Sequence, residues 1–220
     1  MIGIKTKIQL NDKIEEVQIW SHILKQWQKI NRDYLEDSEF SDSLYWYNER
    51  ANISCLAGAI WKLGGYALEE YTATKGKEKK YGRIDLYFSI DEIEYIIEAK
   101  HQWLHFNTKI KNFNNFEDDI KYYLNEATND CKNSMLNNNI NNGIGLVFIT
   151  PYWDIKLDKN DELSKFENEL LKQNYDIIGT FTIDVKDKED QCNLHSSQGN
   201  TCNAVYIIGN YLSKKDNKTS

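Results

Sequence analysis

Asp85, Glu98 and Lys100 fall in a segment reading Tyr81-Gly-Arg-Ile-Asp-Leu-Tyr-Phe-Ser-Ile-Asp-Glu-Ile-Glu-Tyr-Ile-Ile-Glu-Ala-Lys100, which has the alternation of a β-hairpin. A turn centred on Asp91 and Glu92 places Asp85 directly opposite Glu98, and Arg83 opposite Lys100. Ile84, Leu86 and Phe88 then pair with Ala99, Ile97 and Tyr95 on an apolar face, while Asp85, Glu98 and Lys100 share the other. Two carboxylates facing each other across a sheet repel. A divalent cation held by Asp85, Glu98 and the Ala99 carbonyl would relieve that repulsion. Mg²⁺ or Mn²⁺ suits such a site, because Mg²⁺ commonly takes one or two protein carboxylates and keeps its waters for phosphate oxygens. An ammonium at Lys100 would hold or deprotonate an attacking water, or stabilise charge developing on a phosphate. The competing reading is an exposed face of surface ion pairs, which contribute little.

The element ahead of this hairpin supplies a further acid. Trp46, Glu49, Ile53, Leu56, Ile60 and Leu63 recur at alternating three- and four-residue spacing, so Glu49 lies on the apolar stripe of a helix. Ser41 or Asp42 is the expected cap of that helix and Gly64-Gly65 its stop. Three strands are predicted next, over Tyr66 to Thr74, Tyr81 to Ile90 and Ile93 to Lys100. A helix with Phe116, Ile120, Leu124, Ala127 and Cys131 on one stripe follows, then a buried strand from Ile144 to Thr150. Before this region a strand over residues 2 to 10 precedes a helix bearing Val17, Trp20, Leu24 and Trp27, with a connector from Tyr34 to Asp42. After it come a helix with Leu163, Phe166 and Leu170, a strand from Tyr175 to Val185, a polar loop and a strand from Ala204 to Leu212.

The chain of 220 residues is read as one α/β domain over residues 1–212, with a central mixed sheet flanked by helices. Its core spans 42–150, with a strand and helix at 1–40, a helix and strands at 151–212, and a disordered tail at 213–220. Composition fits a folded globular chain: 40% hydrophobic residues, six Trp and fourteen Tyr. No window offers the roughly 18 consecutive apolar residues of a membrane span. Four cysteines without a CxxC, two of them in predicted helices, fit reduced thiols in a cytoplasmic setting. The net charge of -7 excludes a protein that coats nucleic acid by bulk electrostatics. Positive charge gathers locally instead, with Lys75, Lys77, Lys79, Lys80 and Arg83 against one acid, a profile that suits a phosphate-facing patch.

Taken with their order of elements, these residues resemble the PD-(D/E)xK nuclease superfamily, the fold of many restriction and recombination endonucleases. Glu49 matches the helix acid, Asp85 the acid of the second strand, and Glu98-Ala99-Lys100 the E-x-K on the third. The resemblance covers about residues 42 to 150 and departs from the name-giving motif at Ile84, where a proline often stands. It implies a restriction-endonuclease-like core and metal-dependent phosphodiester hydrolysis, with DNA the expected substrate. Asp85, Glu98 and Ala99 would bind Mg²⁺, Lys100 would activate water, and Glu49 would bind a second metal or orient a metal-bound water. Relatives often serve restriction or antiviral defence, and many are dimers. The alternative is a catalytically silent member acting as a binding or scaffold subunit.

Other constellations carry less. Cys192, His195 and Cys202 have the ligand types for zinc but not the spacing of a standard finger. His101 and His105 follow Lys100 and could reach a phosphate, with a solvent-facing role the simpler expectation. Trp103 and Phe106 could stack on bases, although core packing is the simpler expectation for both.

Overall fold

The apolar residues of this chain fall into runs that can be covered on both sides, and the structure covers them with helices on each face of one sheet. A computed structural model describes residues 2–14, 16–75, 80–107, 113–185, 196 and 199–214. Among them the elements run β1 (Ile2–Leu10), α1 (Val17–Asp37), α2 (Glu49–Lys62), β2 (Tyr66–Lys75), β3 (Lys80–Ile90), β4 (Ile93–His105), α3 (Glu117–Asn138), β5 (Asn142–Asp154), α4 (Asn160–Leu170), β6 (Ile177–Val185), β7 (Asn200–Thr201) and β8 (Ala204–Ser213). The sheet order is β1-β6-β8-β5-β4-β3-β2, with the short β7 paired to the end of β5. β4 and β5 run parallel, with α3 as their crossover, and the other neighbours are antiparallel. This is a mixed α/β sheet in which the segments before and after residues 42–150 extend the same sheet. No helix among the described residues is long and apolar enough to cross a membrane.

β5 is central, and its nearly unbroken apolar run follows from burial on both faces. Leu146 and Phe148 join the cluster beneath α1 and α2, whereas Val147 and Ile149 join the one beneath α3 and α4. α1 is anchored on the hairpin by Trp20, whose ring meets Phe88 and Tyr95 edge-on at 5.8 Å each, and those two rings stack at 4.6 Å. α3 lies close on β5 because Gly145 leaves room for it: a Cβ there would meet the Thr128 backbone at 2.4 Å. That approach hangs Asp130 and Ser134 of α3 over β4.

Four expected boundaries shift. α1 runs on to Asp37, through the predicted connector, because Leu35 is buried in the core. α2 begins at Glu49, not after Ser41 or Asp42; Asn48 caps it, accepting from the Ala51 N–H at 3.1 Å. Asp42 is otherwise engaged, accepting from the hydroxyls of Tyr34 and Tyr47 at 2.6 and 2.7 Å. The residues between form a 3-10 turn at Leu44–Trp46, which donates from Tyr45 Oη and Trp46 Nε1 to the Cys202 carbonyl. β4 continues past Lys100 to His105 because its parallel ladder with β5 reaches Tyr152. Ser213, assigned to the tail, is buried as the last residue of β8, and residues 215–220 lie outside the described residues.

Candidate functional site

The β3–β4 ladder has the expected register from Ile90–Ile93 to Leu86–Ile97, and there it stops. Its two turn residues, Asp91 and Glu92, have φ of 52° and 64°, the left-handed pair that a two-residue hairpin turn needs. Asp85 and Glu98 therefore do not form the expected directly opposed pair. Instead Asp85 accepts the Ala99 N–H through Oδ2 at 2.7 Å, filling the opening between the strands. The alternation of β3 breaks at the same place: Leu86 and Phe88 join the core beneath α1 and α2, but Ile84 joins the cluster under α3. On β2, Glu70 takes a φ of 52°, a conformation that costs a non-glycine residue about 1 kcal/mol. Local distortion of two neighbouring strands around one carboxylate is the kind of feature that concentrates at functional sites.

Asp85 lines a small recess with Glu49, Arg50, Ile53, Glu69 and Glu70. Glu49, half-buried at the first turn of α2, thus lines the same recess as Asp85. Arg50, Glu69 and Glu70 carry no motif and were not selected from the sequence. The two arginines converge on Glu70, Arg50 at 3.3 Å and Arg83 at 3.1 Å. Arg83, expected to face phosphate, is in this structure paired with that acid.

Lys100 is half-buried and donates to Asp130 Oδ2 at 3.1 Å. Burial alone would push its pKa down. The hydrogen bond and charge of Asp130, with the charges of Asp85 and Glu49, together outweigh that effect, so the ammonium is held above its ordinary value. Lys100 is accordingly a cation, suited to holding a water or a phosphate oxygen. Asp130 went unnoticed in the sequence because only the crossover packing of α3 brings it near Lys100.

Glu98 takes a different course from the other three. It is fully buried, and its Oε1 accepts from the Ser134 hydroxyl at 2.7 Å. It does not line the recess that holds Glu49 and Asp85. One acid of the expected pair thus accepts a backbone N–H between the strands and the other accepts a hydroxyl of α3. Ala99, between Glu98 and Lys100, is buried in the core.

Among the described residues no three His, Cys, Asp or Glu side chains are grouped to hold a metal ion by themselves. Of the four carboxylates at the recess, Glu69 accepts from the Ser54 hydroxyl and Glu70 is paired with Arg50 and Arg83, so Glu49 and Asp85 are the candidate donors. That is compatible with a hard cation such as Mg²⁺, which dehydrates reluctantly and needs only one or two protein carboxylates.

Of the basic run, Lys77 and Lys79 lie outside the described residues, and Lys75 and Lys80 are backbone partners at the far end of the β2–β3 ladder. Cys192 and His195 also lie outside them. Cys202 is a free thiol whose pKa burial raises to about 12, as it raises those of Cys55 and, further still, Cys131. Phe106 is core, as expected, with Leu104 beneath α3 and α4, but Trp103 on the opposite face of β4 is 38% exposed, because the strand has there run beyond α1 and α2. His105 is exposed and stacks on Tyr152, at 4.9 Å and 11°.

His101 is not solvent-facing: it sits 2.9 Å from Thr150 Oγ1, and burial lowers its pKa from 6.5 to about 4. The folded protein therefore resists protonation that the unfolded chain accepts, so stability is full above about 6.5 and declines as the pH falls towards 4. Melting temperatures measured across that window are expected to fall with pH in the wild type and to fall less steeply in His101→Gln. Parallel curves would show that other groups set the acid sensitivity.

Comparison of the chain with protein-family models, with curated proteins and with solved structures finds no match.

Proposed function

We propose that this protein is a divalent-metal-dependent nuclease of the restriction-endonuclease-like kind, acting on DNA. The observation that carries the reading is the opening of the β3–β4 ladder at Asp85, which places that carboxylate beside Glu49 and within the electrostatic reach of the Lys100 ammonium. An ordinary exposed hairpin face would have continued its ladder and left its charges to solvent.

Asp85 and Glu49 would hold the cation, with Glu98 and the Ala99 carbonyl as the further donors of the E-x-K arrangement. A bound Mg²⁺ or Mn²⁺ would supply Lewis-acid polarisation of a phosphoryl oxygen and a more acidic water. Asp85 is held for this role by the Ala99 N–H, so its orientation is set before any ligand arrives. Lys100, kept charged by its acidic neighbours, would exchange Asp130 for a phosphate oxygen or the attacking water and counter the charge that develops in the transition state. Glu98 has one oxygen held in place by the Ser134 hydroxyl. The defence role and dimer of the superfamily belong to the same proposal.

A second reading, a silent binding subunit of the same fold, is favoured by the complete burial of Glu98. The two separate in an assay of single-stranded, duplex and branched DNA and of RNA, each with Mg²⁺ or Mn²⁺ and with chelator. The nuclease reading expects metal-dependent cleavage of a DNA form; binding without cleavage in every arm would favour the silent subunit.

A further inference from the structure

A second hollow is lined by residues from the segment just ahead of α2 and from the end of β4. Trp46, Tyr47, Trp103 and Tyr152, with Ser196, Asn200 and Cys202, line a cleft of about 590 Å³. Among the described residues four aromatic rings and no carboxylate line it, in a chain with a net charge of -7. A phosphate strand passing through thus meets no acid among these lining residues.

The rings are fixed before anything binds. Trp46 donates through Nε1 to the Cys202 carbonyl at 3.0 Å, and Tyr47 donates to Asp42 at 2.7 Å, so each is tethered at its polar end. Trp103 meets Tyr152 edge-on at 6.0 Å and His101 at 4.8 Å. Even so, Tyr47 is 54% exposed and Trp103 38%. Large exposed rings held in place are unfavourable surface for water and favourable surface for another π system.

Position connects the cleft to the recess. Tyr47 stands two residues before Glu49, and Trp103 projects from the face of β4 that carries Ala99, the face opposite Lys100. A strand whose phosphate lay at the recess beside Glu49 would thus have a neighbouring nucleotide within reach of the rings.

We infer that this cleft is a stacking subsite for unpaired nucleobases of the nucleic-acid strand, with Trp103 and Tyr47 as its principal contacts. The inference rests on the nuclease reading for the identity of the strand. It makes the substrate one with single-stranded character next to the phosphate that reacts, because a base inside a duplex has its faces covered by its neighbours.

The test is binding, measured in chelator so that cleavage plays no part. A fluorescent oligodeoxythymidylate of about 12 nucleotides, within the span such sites cover, and a blunt duplex of the same length are titrated against the wild type, Trp103→Ala, Trp103→Phe and Tyr47→Ala. The wild type is expected to bind the single strand more tightly than the duplex. Each alanine variant is expected to lose about 5- to 150-fold in single-strand affinity, and Trp103→Phe less. Tyr47 sits on an exposed turn, so Tyr47→Ala decides the matter if Trp103→Ala fails to fold. Alanine variants that bind the single strand like the wild type, or a wild type that prefers duplex or ignores both probes, would overturn the inference. Ring-dependent binding by a chain that cleaves nothing would leave the cleft standing and remove the catalytic reading; cleavage with ring-independent binding would do the reverse.

Discussion

Asp85→Asn is expected to melt close to the wild type and to lose cleavage by on the order of a hundredfold or more. The fold is expected to survive because an amide oxygen can still accept the Ala99 N–H that Asp85 now accepts at 2.7 Å. Activity is expected to fail because the amide replaces an anionic donor at the recess with a neutral one. The same change should blunt any rise in melting temperature that Mg²⁺ or Mn²⁺ produces in the wild type, since a cation that binds only the native state stabilises it by mass action. Asp85→Ala makes the contrast: it leaves the Ala99 N–H without that acceptor, at a cost of about 1–3 kcal/mol, and so confounds stability with chemistry. If Asp85→Asn cleaves at the wild-type rate, the carboxylate serves only to close the gap between β3 and β4.

The second large effect concerns Glu98, where structural and catalytic duties can be separated. Glu98→Gln retains an acceptor for Ser134, so stability should stay close to the wild type. Glu98→Ala removes the acceptor and leaves the Ser134 hydroxyl buried without it, which should lower the melting temperature by several degrees, from a loss of about 1–3 kcal/mol. Cleavage should drop by on the order of a hundredfold or more in both variants if the carboxylate is a cation ligand or an essential charge. Full activity in Glu98→Gln, with loss confined to Glu98→Ala, would make Glu98 a structural acceptor under α3.

Periodicity made the elements legible, since an apolar stripe at helical spacing or a strict alternation has one burial solution in each case. The hairpin register was readable from the turn for the same reason, and it holds through Leu86–Ile97. What the sequence could not disclose is that the ladder opens there, because a regular alternation carries no sign that a side chain will replace a backbone partner. The start of α2 was misplaced because Asp42, a good cap by type, is drawn away by two tyrosine hydroxyls that meet it only in the folded chain. Asp130 and Ser134 were invisible for a related reason: each is one polar residue on an amphipathic helix until α3 is laid across β4. Trp103 was expected in the core, beyond a strand ending at Lys100; the strand instead runs on to His105 and, on the Trp103 face, passes beyond α1 and α2.

The account is tested most directly by single-turnover cleavage of a DNA strand by the wild type and by Lys100→Met, purified identically and assayed with Mg²⁺ and with chelator. Methionine keeps the length of the side chain and removes its charge, so folding should persist while the electrostatic contribution is lost. The expected result is metal-dependent cleavage by the wild type and a rate reduced on the order of a hundredfold or more in Lys100→Met. Equal rates in the two proteins, or cleavage that persists in chelator, would contradict it.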